Sequence, residues 1–253
     1  MNNLNILIIT SAIFSSLPEI VQGVSTRNGG ISPEPFGMNL GYNVGDDSEN
    51  VKENRRRYFS ILGINEHEIV YQKQVHSTTV TQVQHPGIID SCDAIITKTR
   101  GIFLAVSVAD CLPIFIYDST NQVLAAVHAG WRGSKEGIVS RVMDLFIQQH
   151  RSDPANLVAY IGPGAGACCY EVREDVANQF SSKYLTNTGK NRTRLNLKMF
   201  NQHILTSAGI PVSKIEVSHH CTICNPKLFH SYRRDGSKSG RMLAVIGMRN
   251  HRV

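Results

Sequence analysis

Two hydrophobic rhythms alternate along this chain of 253 residues. One is helical. Between Glu49 and Leu62, the apolar positions Val51, Tyr58 and Leu62 recur at helical spacing, Asp46, Asp47 and Ser48 precede them as candidate caps, and Gly63 stands where the helix must stop. The same spacing predicts three more helices. Ser134 to His150 carries Ile138, Val142 and Leu145/Phe146 on one face, and Asp175 to Tyr184 carries Val176, Phe180 and Tyr184. Leu197 to Ala208 carries Leu197, Phe200, Ile204 and Leu205 and is closed by Gly209 and Pro211. The other rhythm is the short continuous run of Ile, Val and Phe that marks a buried strand. Ile102 to Val108, Pro113 to Tyr117, Val123 to Val127 and Met242 to Met248 are such runs. Ala109 to Leu112 is the turn between the first two, and His128 stands at the end of the third. Helices and strands mix without a regular βαβ rhythm, so the pattern predicts an α+β layered sandwich and not a doubly wound sheet. No internal repeat, low-complexity tract or Pro/Ser-rich linker interrupts it. The polar stretch Asn187 to Arg194 reads as a surface loop between helices, and a single domain over 1–253 is expected.

Composition narrows the class. An apolar content of 42% supports a real core. No apolar run approaches the roughly 20 residues of a membrane helix. Asn5 to Phe14 is apolar, but Met1 to Leu4 carries no Lys or Arg and no small-residue cleavage site follows. That stretch reads as an early strand or edge segment and not as an export signal. Six cysteines at irregular spacing fit a reduced cytoplasm better than a disulfide framework. The net charge is +6, with arginines grouped at Arg55–Arg57, Arg192–Arg194, Arg233–Arg234 and Arg249–Arg252. They are not interleaved with aromatics and no nucleic-acid motif accompanies them, which argues against nucleic acid and suits a small phosphate-bearing substrate.

Candidate chemistry collects in a few segments. His76 in QVHS, Cys111 in ADC and His128 in HAGWRG are far apart in sequence, and each sits at the edge of an apolar run. Two imidazoles and a thiolate are good zinc ligands, and three protein ligands leave one tetrahedral position open, as a catalytic site requires. Each residue alone also has a bland reading: His76 as a satisfied surface or core residue, Cys111 as an inert buried thiol. Asp93 either orients a ligating imidazole or caps a turn. Asp110, beside Cys111, is a candidate orienting or proton-carrying group. Arg27 lies beside the Gly pair of STRNGG, which is not a P-loop because no Gly-Lys-Ser/Thr follows. Asn39, in NLG, leads through Gly45-Asp46-Asp47 to Asn54 and Arg55 on the first predicted helix, where a guanidinium turned inward would clamp an anion. Trp131 either stacks a purine or lies in the core under a turn, and Arg132 beside it is a second anion candidate. Cys221-Thr222-Ile223-Cys224 has the spacing of half a zinc knuckle, but no second such pair exists, so no structural zinc is expected there. The adjacent Cys168 and Cys169 read as buried thiols in a tight turn.

In order along the chain, STRNGG, NLG with GDD, VKENR, QVHS, CDAIIT, ADCLPI, HAGWRG, IGPGAGACCYEV and SYRRDGSKSGRM resemble the laccase-domain family, also called the multicopper polyphenol oxidase family. The resemblance runs through nearly the whole chain. It implies an α/β/β/α sandwich with mixed sheets, similar to a toxin-deamidase fold with a Cys-His site. It places zinc on His76, Cys111 and His128, and implies a purine nucleoside phosphorylase for adenosine, inosine and methylthioadenosine with adenosine deaminase activity. With Asp110, those three ligands form the expected catalytic set. Arg55, Arg27, Asn39, Arg132 and Trp131 form the expected binding set for nucleoside and phosphate. A monomer or small homo-oligomer without nucleic-acid or membrane partners is expected. The 10 histidines include no H-x-H pair, which argues against a trinuclear copper cluster. Copper outcompetes zinc at nitrogen and sulfur donors, so copper as an alternative metal would give polyphenol oxidation as a side activity. Two other classes stay open. One is a metal-free Cys-His amide hydrolase that edits a substrate such as a peptidoglycan precursor. The other is a non-catalytic binding protein.

Overall fold

The structure is a computed structural model that describes residues 6–189 and 192–250. Met1 to Asn5, residues 190 and 191 of the 187–194 stretch, and Arg252 lie outside the described residues. In chain order the strands are β1 (Ile8–Ile9), β2 (Ile20–Ser25), β3 (Ile69–Gln72), β4 (Val80–Gln82), β5 (Gly87–Ile89), β6 (Ala94–Thr97), β7 (Phe103–Val108), β8 (Leu112–Asp118), β9 (Val123–Ala129), β10 (Val158–Ile161), β11 (Glu171–Val172), β12 (Leu185–Asn187), β13 (Thr193–Leu195), β14 (Ile215–Val217) and β15 (Met242–Met248). Sheet one has the order β1-β2-β15-β7-β3-β5 and sheet two the order β14-β10-β8-β9-β6-β4. Both are mixed. In sheet one β15 runs antiparallel to β2 and β7, while β3 runs parallel to β7 and β5. In sheet two β8 is antiparallel to β9 and β10, while the outer pairs β10–β14 and β6–β4 are parallel.

Strand alternation divides the apolar residues among three cores, and these define four layers. Leu104, Val106 and Val108 of β7 meet Phe115, Tyr117, Leu124 and Ala126 of β8 and β9 between the sheets. The opposite residues of β7, Phe103 and Ala105, face outward with Val21, Leu243 and Val245 and pack under Tyr58, Phe59 and Leu62 of the Ser48–Leu62 helix. On the far side, Ile114, Ile116, Ala125 and Val127 meet Ile138, Val142, Phe146 and Leu205 from the helices Ile138–Gln148 and Leu197–Ser207. The result is α/β/β/α. The Ser48–Leu62 helix starts where Asp47 accepts the amides of Glu49 and Asn50 and stops at Gly63, whose φ of 66° is left-handed.

Four local expectations are corrected. The Ser134–His150 helix is two pieces, Trp131–Lys135 and Ile138–Gln148, because Gly137 takes a left-handed φ of 92° between them. Asp175–Tyr184 is not one helix but two short helical turns, an α turn Glu174–Ala177 and a 3-10 turn Ser182–Tyr184, with the extended Ser181 before the second. Phe180 and Tyr184 are buried all the same, both edge-on to Phe200 at 5.0 and 5.1 Å. Asn187 to Arg194 is not a connection between helices. Its described residues include parts of β12 and β13, antiparallel partners in a three-stranded sheet with β11. β9 runs past Val127 to Ala129, so His128 belongs to the strand itself. Ile8–Ile9 is an edge strand, paired only with β2, as the apolar N-terminal segment suggests. No described helix is long and apolar enough to cross a membrane.

The fully buried Tyr58 hydroxyl donates to Gly23 O at 2.7 Å and Leu243 O at 3.0 Å, which ties the helix layer to β2 and β15. Tyr58→Phe leaves a carbonyl acceptor short of a partner and is expected to lower unfolding free energy by about 1–3 kcal/mol in urea titration. Ile61→Ala, on the exposed face of the same helix, should stay within about 0.5 kcal/mol.

Candidate metal centre

His128 lies in β9 opposite Pro113 of β8, and Cys111 sits just before β8 begins. His76 comes from the loop that leaves β3. The folding of the two sheets brings these residues together: one ligand atom from each lies within 4.8 Å of the other two. Cys111 Sγ is 3.9 Å from His76 Nε2, and the two imidazole rings stand edge to face at 83°. Metal bonds of about 2.0–2.3 Å give tetrahedral edges of roughly 3.3–3.8 Å, so the spacing and the donor set fit one metal ion with a fourth position left open. Gly130 makes this approach possible. A Cβ there would lie 3.0 Å from Cys111 Sγ and 3.2 Å from His76 Cδ2.

Asp93 organises the group. Its fully buried carboxylate accepts His128 Nδ1 at 2.8 Å through Oδ1, which turns Nε2 of that ring toward the other two ligands. Oδ1 also accepts the amide of His76, and Oδ2 accepts the amides of Val75 and Ser77 and the Ser77 hydroxyl. Asp93 therefore both orients the imidazole and holds the His76 loop. Two non-glycine residues with positive φ flank the centre, His76 at 59° and Asp110 at 100°.

Charge is strongly coupled here. Burial would raise the Cys111 thiol, but the His128 charge and hydrogen bonds from both imidazoles outweigh it and bring the thiol down to about 6. Burial would lower His128, but the Cys111 thiolate and Asp93 hold it up at about 9. Burial opposes ionisation of Asp93 as well, and hydrogen bonds from His128 and Ser77 bring its carboxyl down to about 2. Without metal, the centre is a thiolate–imidazolium pair between those two values.

His76, Cys111 and His128 line a cavity of about 1270 Å³ that extends over the outer face of sheet one beside the Ser48–Leu62 helix. Arg55 lines it. Its Nε donates to Leu40 O at 2.9 Å, its Nη1 meets Glu66 at 3.2 Å, and its guanidinium lies between the rings of Tyr42 and Tyr71. Asn39 is fully buried and does not line the cavity. Its Oδ1 accepts the amide of Arg241 at 2.8 Å, and Arg241 does line the cavity. The other expected residues lie elsewhere. Arg27 donates to Glu34, Pro35 O and Pro226 O. Trp131 packs against the helix-side core of sheet two, and Arg132 is exposed over its ring. The Asp110 carboxylate is taken up by the Thr222 hydroxyl at 2.7 Å and the Arg233 amide at 2.6 Å. Arg241, Tyr42, Tyr71 and Tyr232 are the lining residues that the sequence reading passed over. Only Arg241 had a signal, as the arginine of the SKSGRM segment. The cysteine expectation is also corrected: Cys168 is exposed and Cys169 half-buried, and both lie with Cys221 and Cys224 in a four-sulfur cluster.

A fold of two mixed sheets with a two-histidine, one-thiolate centre at the mouth of a cavity matches a known protein class. Residues 21–249 match the family described as multi-copper polyphenol oxidoreductase laccase, and the chain belongs to that family. It is 33% identical over 248 residues to purine nucleoside phosphorylase YlmD of Bacillus subtilis, covering 91% of this chain and 89% of the relative. It is 30% identical over 252 residues to adenosine deaminase RL5 from an unknown prokaryotic organism, covering 92% and 96%. The crystal structure of YlmD from Geobacillus stearothermophilus superimposes with a TM-score of 0.90 at 32% identity, over 99% of this chain and 98% of that one.

In chelator-treated protein, alkylation of Cys111, followed by mass spectrometry of its peptide, should rise with pH around a midpoint near 6. His128→Ala removes the neighbouring positive charge and should move the midpoint up toward the ordinary thiol value of about 8.5. An unchanged midpoint would exclude the pairing.

Proposed function

We propose that this chain is a zinc-dependent purine nucleoside phosphorylase, active on adenosine, inosine and methylthioadenosine, with adenosine deaminase activity. The observation that carries the reading is the shared cavity: His76, Cys111 and His128, with Arg55 and Arg241, line the same space. The names of the relatives agree with it. In phosphorolysis a phosphate oxygen bonds to C1′ of the ribose, the C1′–N9 bond breaks, and the base leaves with a proton. The protein must hold a polyanion beside the sugar. Arg55, fixed by Leu40 O, Glu66 and two tyrosine rings, and Arg241, its amide held by Asn39 and its Nη1 donating to Ser239 O and Gly240 O, supply preorganised cations for that purpose. Zinc, held by His76, Cys111 and His128, would supply Lewis acidity toward a substrate heteroatom or a water. Asp93 keeps His128 in the tautomer that presents Nε2. Asp110, its carboxylate occupied, acts as a positioning residue for Cys111. In deamination water adds at C6 of adenine and ammonia leaves, so the six-membered ring must reach the centre while the sugar stays near the arginines.

A second reading rests on a specific observation. Cys111, His128 and Asp93 stand in the order nucleophile, base and orienting carboxylate, which suits a metal-free amide hydrolase. Copper-dependent phenol oxidation has less support. Among the described residues the groups able to hold a metal are this centre and the four-cysteine cluster, and neither is a multi-histidine copper cluster.

Zinc-loaded protein given adenosine and phosphate is expected to release adenine and ribose 1-phosphate, resolved by chromatography, and to form inosine when phosphate is omitted. Cys111→Ala should abolish both products, and full turnover in that variant would refute the assignment. Loss of nucleoside turnover in all forms, with amide hydrolysis by the chelated protein, would establish the second reading.

Arg241→Ala should lower kcat/KM for phosphate by about 10–100-fold, the worth of a charge-assisted contact. Arg27→Ala, at a residue outside the cavity, should leave it unchanged.

A further inference from the structure

Four of the six cysteines converge outside the cavity. β10 and β14 are parallel neighbours, so the segments leaving their C-terminal ends run side by side. Gly164 bridges to Cys221, and the Thr222 amide donates to Gly164 O at 3.0 Å. The first segment carries Cys168 and Cys169, the second Cys221 and Cys224, and all four sulfurs lie within 4.8 Å of one another. Cys168 Sγ and Cys224 Sγ are 3.7 Å apart. That is far beyond a disulfide bond of about 2.05 Å. It matches the edge of a tetrahedron built on metal–sulfur bonds of about 2.3 Å, which is roughly 3.8 Å.

The surroundings suit bound thiolates. The Gly166 amide donates to Cys221 Sγ at 3.2 Å, and a Cβ at Gly166 would come within 2.9 Å of Cys221 Cβ and 3.3 Å of the sulfurs of Cys168 and Cys221. Asn225 Nδ2 donates to Cys221 O and lies 3.7 Å from Cys224 Sγ. The buried Lys198 ammonium, held by Ser218 O at 2.7 Å and His220 O at 2.6 Å, sits within the field of Cys221, Cys168 and Cys224. Four thiolates around a divalent ion carry a net charge of −2, and a buried cation with amide donors offsets it.

We propose that Cys168, Cys169, Cys221 and Cys224 form a second metal site, a closed tetrathiolate that holds Zn2+ as a structural ion. It has no open position and therefore no catalytic vacancy. It clamps the two segments together, and the clamp reaches the first centre through Thr222, whose hydroxyl holds Asp110 next to Cys111.

The test uses the full chain with Co2+ as the probe, because a tetrathiolate gives cobalt intense visible bands and sulfur-to-metal charge transfer. His76→Ala/His128→Ala dismantles the first centre. After reduction and chelation, that variant is expected to take up about one Co2+ per chain with the tetrathiolate spectrum. Adding Cys168→Ser and Cys224→Ser should abolish both uptake and spectrum. No cobalt uptake by the double variant, with a wild-type circular dichroism spectrum, would overturn the site.

A second measurement needs no variant. In the wild-type chain Zn2+ should protect all four cysteines from alkylation and raise zinc content to about two ions per chain. Free alkylation of the four thiols in saturating zinc, or a mass lower by two hydrogens from a disulfide among them, would refute the proposal. Neither readout depends on nucleoside turnover, so this site and the proposed activity can fail independently.

Discussion

The arrangement of the His76–Cys111–His128 group depends on one buried carboxylate. Asp93 has no exposed surface, yet it stays ionised because five donors converge on its two oxygens. A buried charge left unpaired costs several kcal/mol, so the carboxylate and its donors constrain each other. Three of the donors are consecutive amides, Val75 to Ser77, which fixes the loop just after Gln74, itself tied to Ser107 through both ends of its side-chain amide. The other two are the Ser77 hydroxyl and the imidazole of His128. Asp93 is also tied through its main chain, its carbonyl accepting the His128 amide at 2.7 Å and its amide donating to Thr79 O. A single residue at the start of β6 thus sets the distance between a loop ligand and a strand ligand, and the left-handed backbone of His76 persists because the carboxylate over-determines it.

The parts of the fold legible in the sequence are those buried on both faces. β7, β8, β9 and β15 are packed between a second sheet and a helix layer, so nearly every position is apolar and the run stands out. β2 is equally buried but is not a clean run, because Gln22, Gly23 and Ser25 interrupt it. Those polar groups bind locally: Gln22 accepts the Ser11 amide and Ser25 the Leu243 amide. β4 and β5 are three-residue strands with exposed positions and carry almost no signal. Helical spacing failed where aromatic burial arose without one continuous helix. Phe180, in the bend after the turn Glu174–Ala177, and Tyr184, at the end of the turn Ser182–Tyr184, both reach Phe200.

The convergence of His76, Cys111 and His128 was legible in the sequence and the walls of the cavity beside them were not, for a geometric reason. Neighbours within a motif need not share a face. In HAGWRG the strand delivers His128 to the centre, the chain then starts a helix, and Trp131 swings beneath sheet two into the opposite core. Arg27, three residues before Gly30, is consumed by the turn it belongs to, through Glu34 and two carbonyls. Arg241 enters the cavity from the far end of the chain because its amide is held by Asn39, a contact between residues 202 apart that no local pattern encodes. The cysteine cluster was hidden in the same way. A scan for paired CxxC motifs requires both pairs to be local, whereas here the second pair is two adjacent residues supplied by the parallel neighbour of β14.

Asp110 links the two clusters. A positive φ at a non-glycine residue costs about 1–3 kcal/mol and survives only where other contacts repay it. At Asp110 those contacts come from the Thr222 hydroxyl and the Arg233 amide, one on each oxygen, and from its carbonyl, which accepts the Ala165 amide at 2.8 Å. Two of the three segments that hold Asp110, near 165 and near 222, are the ones that carry the four cysteines. The direction in which Cys111 leaves the turn is therefore set by groups other than the two imidazoles it faces. A fold that places a thiol beside two imidazoles gains from such remote anchoring. The strain at Asp110 is supported by contacts that leave the Cys111 sulfur free to face His76 and His128.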